Sequence, residues 1–220
     1  MSVNSARQRW EEALISSLLE MTRARDGDPV ALDRLAKISN DPESLQLVVE
    51  KISRDPQGKY ALDNPFTLGN IDLEKLQTLS PDTLGYCYAD HMIRNNLKPL
   101  EATKIDNKYQ FLGIHVTETH DIWHVITNSN TDILGEIKIE AFSVAQFEVS
   151  RFWLALLAKN LLKSTIYDIE VATQYMDALT TGWLMGKTAK PLFGVNWNTL
   201  WETPIEKVRK SFNIVKIDHF

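Results

Sequence analysis

The sequence has 220 residues, a formal net charge of −5 at pH 7 and a pI near 5.6, with no Lys/Arg block. That balance lacks the basic field that phosphate backbones require, so no nucleic-acid partner is expected. The 44% hydrophobic content supports a sizeable core, and a single cysteine, Cys87, excludes an intramolecular disulfide and suits a reducing compartment.

The first stretch, MSVNSARQRWEEALISSLLEMTRAR, carries Glu11 and Glu12 early and lacks an apolar core followed by a small-residue cleavage site. It reads as a helix over about 5–24 and not as a signal or transit peptide. Asp28-Pro29, Asp41-Pro42, Ser80-Pro81 and Thr203-Pro204 each place a capping side chain before a proline. Such pairs start helices, because the cap accepts an orphan N–H and the proline has none to lose. Together with apolar periodicity they predict helices at about 29–38, 42–54, 81–96, 108–127, 131–162, 166–186 and 204–211. The last starts on a capping box, Thr203-Pro204-Ile205-Glu206. Segment 55–80 is rich in turn residues and reads as a connection with one short helix. It divides an N-terminal helical layer, 1–57, from a main bundle, 58–220, unless both form one domain with an irregular crossing. Cys87, in LGYCYADHM, reads as a buried helical thiol. Phe152–Ala158 is a notable uncharged apolar run, far short of the ~20 residues a membrane span needs, so a soluble or peripheral protein is expected. Only FNIVKI, 212–217, suggests a strand. The predicted class is all-α, a multi-helix bundle.

The stretch THDIWHVITNSNTDILGE, 119–136, holds the candidate chemistry. With each helical residue turning about 100°, His120, Asp121 and His124 fall within roughly a quarter-turn. Asn128, Ser129 and Asn130 form a turn, with Thr131 as the expected cap of the next helix. In the resulting αα-hairpin, Asn130 is the midpoint between His124 and Glu136, so those two residues sit at one height. Glu140 then lies opposite His120, outside the inner ligands. Two imidazoles and one or two carboxylates suit zinc or another divalent transition metal better than calcium, and magnesium prefers more oxygen. Asp121 is either a ligand or the acceptor that fixes an imidazole tautomer. The competing reading is that these are polar groups at solvated helix ends. His91 and His115 show no matched partner and His219 is in the tail, so each reads as structural or surface.

HDIWHVITNSNTDILGE has the form H-D-x-x-H, eleven residues, then E, and it resembles the signature of the coenzyme Q (ubiquinone) biosynthesis protein 4 family. LSPDTLGYCYADHMIRNNLKP (79–99), SRDPQGKYAL (53–62) and NWNTLWETPIEKVRKSFNI (196–214) resemble further blocks of that family in order. The resemblance covers about 40–217 and leaves residues 1–40 unassigned. It implies an all-helical fold and a divalent-metal site at His120, Asp121, His124 and Glu136, usually described as zinc, with iron, manganese or magnesium as alternatives. It also implies a role in ubiquinone synthesis and association with a peripheral membrane complex of other quinone-biosynthesis proteins. The missing transit-like leader points to a bacterial-type member, cytoplasmic and peripheral to the inner membrane.

Three functions follow as expectations. In the first, a metal-dependent enzyme oxidatively decarboxylates a polyprenyl-hydroxybenzoate-type ring acid. In the second, a non-catalytic scaffold binds polyprenyl lipid or a prenylated quinone precursor, with Phe142, Phe147, Arg151, Phe152 and Leu156 beside the hairpin and YMDALTTGWLM (175–185) as another wall. Plain bundle core is the alternative role for these side chains. Arg151, Lys159 and Lys187 are candidates for a phosphate or an anionic membrane. In the third, an interaction protein carries a structural metal; Gly182 and Gly186 then mark either the close face of a homodimer or a helix end.

Overall fold

The computed structural model describes residues 3–25, 28–101 and 104–215. The expected all-α class holds. Among the described residues eleven α-helices follow in order: α1 (Val3–Arg23), α2 (Pro29–Ser39), α3 (Pro42–Ile52), α4 (Pro56–Asp63), α5 (Leu73–Gln77), α6 (Leu84–Arg94), α7 (Lys108–Thr127), α8 (Ile133–Phe147), α9 (Arg151–Tyr167), α10 (Ala172–Thr188) and α11 (Ile205–Ser211). No helix among the described residues is long and apolar enough to cross a membrane.

Aspartate–proline pairs start three of these helices. Asp28, Asp41 and Asp55 each accept two backbone N–H groups of the turn that follows. The Asp55-Pro56 pair adds α4, so segment 55–80 carries two short helices where one was expected. Asp41 has a second role, since its carboxylate also pairs with Arg151 at the start of α9. The Arg151 guanidinium lies 5.0 Å from the centre of the Trp10 ring, and the Trp10 indole donates to Ile38 O at 3.0 Å. These contacts seat α1, α2 and α3 on α9. Asp41→Ala is expected to lower stability by about 1–2 kcal/mol, mostly through the lost cap and less through the half-exposed ion pair, read as a shifted urea midpoint.

Other expected boundaries move. Ser80-Pro81 forms a turn, and α6 starts at Leu84 with Thr83 as its cap. Thr203 does not cap α11, which begins after Pro204 with no side-chain cap. Two backbones serve each other instead: Leu84 N donates to Thr203 O, Gly85 N to Trp201 O and Ile205 N to Asp82 O. These bonds serve orphan N–H groups at both helix starts, beside the Thr83 hydroxyl that accepts Tyr86 N–H in α6. The helix expected over 131–162 is two helices, broken at Glu148, whose φ is 55°. Ser150 caps the second, and Glu148 is held at 2.8 Å by Lys51. The break turns α9 back along α8, so that Glu140 meets Asn160. The expected helix 166–186 is α10 preceded by a 3-10 turn at Ile169–Val171. No strand occurs over 212–215, where Asn213 has φ 55°; residues 216 and 217, like His219, lie outside the described residues.

The main core buries Leu84, Tyr88, Met92, Phe111, Ile122, Ile126, Phe142 and Trp197 from helices and loops throughout the chain. α8 and α10 approach closely because of the two glycines. A Cβ on Gly182 would lie 2.0 Å from Lys138 O, and one on Gly186 would lie 2.7 Å from Phe142 O. The glycine pair therefore closes a contact within the chain, in the middle and last turns of α10. His115 of α7 fixes two loops. Its Nδ1 lies 3.3 Å from Glu118 Oε1, its Nε2 accepts Gly194 N–H at 3.1 Å, and Glu118 Oε2 accepts Leu68 N–H.

Candidate metal centre

The hairpin is built from local chemistry. Asn128 adopts the left-handed conformation, φ 54° and ψ 51°, and ends α7. Asp132, not Thr131, caps α8 by accepting Gly135 N–H, while Thr131 bonds to Asn95. Gly135 lets the first turn of α8 sit on the loop, since a Cβ there would be 1.9 Å from Asn130 O. Remote cations complete the end of α7. Lys138 donates to Thr127 O and Asn128 O, and Arg209 of α11 donates to Ile126 O and Val125 O. Positive charge at a helix C-terminus opposes the macrodipole and satisfies the last carbonyls.

Within this frame His120, His124 and Glu136 each offer one ligand atom, all within 4.8 Å of one another. His124 Nε2 stands 3.5 Å from Glu136 Oε1. On its other side, His124 Nδ1 lies 3.2 Å from Ser129 O. A carbonyl only accepts, so Nδ1 carries the proton and Nε2 presents a lone pair. That buried Nε2 has no hydrogen-bond partner. Asp121 stands outside this trio. Its Oδ1 is 3.8 Å from His120 Nδ1 and 3.7 Å from Nε2 of His91 on α6. His91 also stacks on His124, with ring centres 5.7 Å apart.

The electrostatics follow from burial and crowding. Burial and the neighbouring His120 push His124 down to about 4, so its imidazole is neutral at neutral pH. Burial opposes charge on His120, yet Asp121, Glu136 and Glu140 together raise it above the ordinary histidine value. Asp121 lies well below the usual carboxylate range: burial works against this, and the His120 and His91 imidazoles outweigh it. Burial raises Glu136. It raises Glu140 to about 7, against the pull of Lys159 and of Asn160, whose amide donates to it at 2.7 Å.

The side chains expected to hold a lipid are largely spent elsewhere. Phe142, Phe147 and Leu156 are buried in the core, with Phe152 packed against it, and Arg151 is paired with Asp41. Lys159 is buried and Lys187 lies 3.9 Å from Glu148. A cavity of about 750 Å³ lies beside the hairpin turn, with a wall that includes Ile126, Leu134, Lys138, Ala178, Met185 and Arg209. Phe147 and Trp123 line a second, of about 230 Å³.

The family profile of "Coenzyme Q (ubiquinone) biosynthesis protein Coq4" matches residues 3–218. The chain belongs to the Coq4 family. The match takes in residues 3–40, which lie outside the blocks of resemblance in the sequence. The Coq4-family protein of Zygosaccharomyces rouxii, named a mitochondrial ubiquinone biosynthesis protein, is 28% identical over 211 residues, covering 91% of this chain and 60% of the relative. An Anopheles gambiae homologue of the same name is 26% identical over 196 residues, covering 85% and 68%. The chain spans about three fifths of the length of the first curated Coq4 relatives it matches, 60%, 62% and 63%. A crystal structure of a proposed ubiquinone biosynthesis protein from Nostoc punctiforme superposes with a TM-score of 0.84 at 20% identity, covering 94% of this chain and 98% of that one, and shares its fold. Within this Coq4-family chain, His91 is the site neighbour that motif spacing missed. It comes from another helix, 29 residues before His120, and no local periodicity ties the two.

Proposed function

We propose that the chain serves ubiquinone-type quinone biosynthesis by taking the ring carboxylate of a polyprenylated aromatic acid at a divalent-metal centre formed by His120, His124 and Glu136. One observation carries this reading: three ligand-competent atoms converge within 4.8 Å around a buried, partnerless His124 Nε2. Two histidines and one carboxylate suit both zinc and ferrous iron, and three protein ligands leave positions open for substrate. A bound ion would supply charge stabilisation to a carboxylate, and iron would add dioxygen chemistry.

The chain's own residues have separable tasks. Ser129 O sets the His124 tautomer, and Asp121 orients His120 from its outer side. Glu140, held by Asn160 and raised to about 7, keeps a proton close to the cluster near neutral pH. The cavity of about 750 Å³ beside the hairpin turn falls in the range of small-molecule sites and has room for part of a prenyl chain, although none of the three ligand residues lines it. That cavity also supports the second reading, a scaffold that holds prenyl lipid without chemistry.

Native mass spectrometry, metal analysis and carbon dioxide release from a polyprenyl hydroxybenzoate separate the two readings. Metal with turnover supports the enzyme. Metal and bound prenyl lipid without turnover support the scaffold, and absence of metal after reconstitution overturns the centre. Metal affinity is expected to rise with pH through the titration of His120 and then level off, because the ion displaces its proton. Chelator competition across pH measures this; a flat profile would exclude His120 as a ligand.

A further inference from the structure

We propose that His91 is a positioning residue of the metal centre, donating its Nε2–H to Asp121 and thereby holding the carboxylate that orients His120. The proposal rests on the metal reading above and assigns a role outside the H-D-x-x-H motif. Three observations carry it. His91 Nε2 is buried and has no hydrogen-bond partner, which is costly for an imidazole nitrogen away from water. The Asp121 Oδ1 atom lies 3.7 Å away, a few tenths of an ångström beyond a hydrogen bond, so a small ring rotation closes the contact. The same carboxylate oxygen lies 3.8 Å from His120 Nδ1, so one acceptor faces imidazoles on two helices.

The arrangement explains the position of Asp121. A carboxylate shared by two imidazole donors is oriented away from the inner trio, which contains His120, His124 and Glu136 alone. His91 also restricts the centre from a second direction: its ring stacks on His124 at 5.7 Å with an interplanar angle of 24°. α6 thus braces His120 and His124 of α7. The backbone of α6 is itself anchored, because its first N–H groups bond to Thr203 and Trp201.

The test combines metal affinity with a spectroscopic readout. Zinc affinity is measured by chelator competition, and the cobalt-substituted protein gives a visible spectrum sensitive to ligand geometry. His91→Phe is expected to weaken zinc by about 10–100-fold, the usual effect of losing an outer hydrogen bond to a metal ligand, and to alter the cobalt bands. His91→Gln, which keeps an N–H donor, is expected to restore affinity to within about threefold of wild type. In Asp121→Ala the further change His91→Phe is expected to add almost nothing, because the two act as a unit. Unaltered zinc affinity in His91→Phe, or losses that simply add, overturns the proposal. Should His91→Phe fail to fold, the wild-type protein still decides: histidine ¹H–¹⁵N spectra are expected to show His91 protonated on Nε2. Protonation on Nδ1 alone overturns the proposal while leaving the metal centre standing. Wild-type protein that binds neither zinc nor cobalt overturns both.

Discussion

His124→Ala is expected to weaken zinc binding by more than about 100-fold and to abolish turnover of a polyprenyl ring acid, while the far-ultraviolet helical signal stays close to wild type. The loss should exceed that of any outer variant, because the inner ligand itself disappears. Helicity should survive for a geometric reason. The imidazole makes one hydrogen bond, to Ser129 O, and the end of α7 is closed independently by Asn128, Lys138 and Arg209. Alanine is a stronger helix former than histidine, which offsets part of the buried volume lost. Chelator competition, product analysis and circular dichroism on one preparation check all three statements. Turnover by a folded His124→Ala protein would sink the enzymatic reading. Loss of metal with retained prenyl-lipid binding would move weight to the scaffold.

Gly135→Ala is expected to cost about 3 kcal/mol or more and to weaken metal binding, although no ligand atom is removed. The added Cβ would sit 1.9 Å from Asn130 O, with the rest of that neighbour's backbone at 2.6–2.7 Å. No rotamer relieves contact between a Cβ and backbone, so the first turn of α8 must lift from the loop. Glu136 is the next residue and moves with it, opening the 3.5 Å approach to His124. A urea midpoint shift alone would show only a steric fault. A parallel loss of zinc affinity in the still-folded fraction would show that close packing of the turn sets the ligand distance. Unchanged affinity would separate the turn from the centre.

What could be read from the sequence was local. The turn residues Asn128-Ser129-Asn130 and a twelve-residue spacing bring His124 and Glu136 together through contacts that stay within one hairpin, although its second helix is capped by Asp132 and not Thr131. Asp28-Pro29 and Asp41-Pro42 start helices where expected for the same reason. Asp55-Pro56 carries the same signal, masked by the turn-rich residues around it. The division of α8 from α9 was not legible. The run AFSVAQFEVSRFWLALLA keeps helical apolar spacing and has no glycine or proline at the break, which depends on Glu148 in a positive-φ conformation and on Lys51 from α3. For Phe142 and Phe147, bundle core is the more expected role from apolar spacing, and their burial is decided by neighbours such as Trp123 and Trp153. His91 was invisible because its partners are set by the packing of α6 on α7.

The Arg209 cap has a consequence for assembly of the chain during synthesis. The α7–α8 hairpin is contiguous and emerges early, but two carbonyls closing its first arm wait for a guanidinium 83 and 84 residues downstream. Synthesis runs from the N-terminus at roughly 5–20 residues per second, so several seconds separate the ligands from their last support. During that interval Asn128 and Lys138 alone close the end of α7, and an ion captured then would be held more loosely than in the finished protein. Nascent chains halted before α11 should therefore exchange zinc quickly, and release of the full chain should slow that exchange.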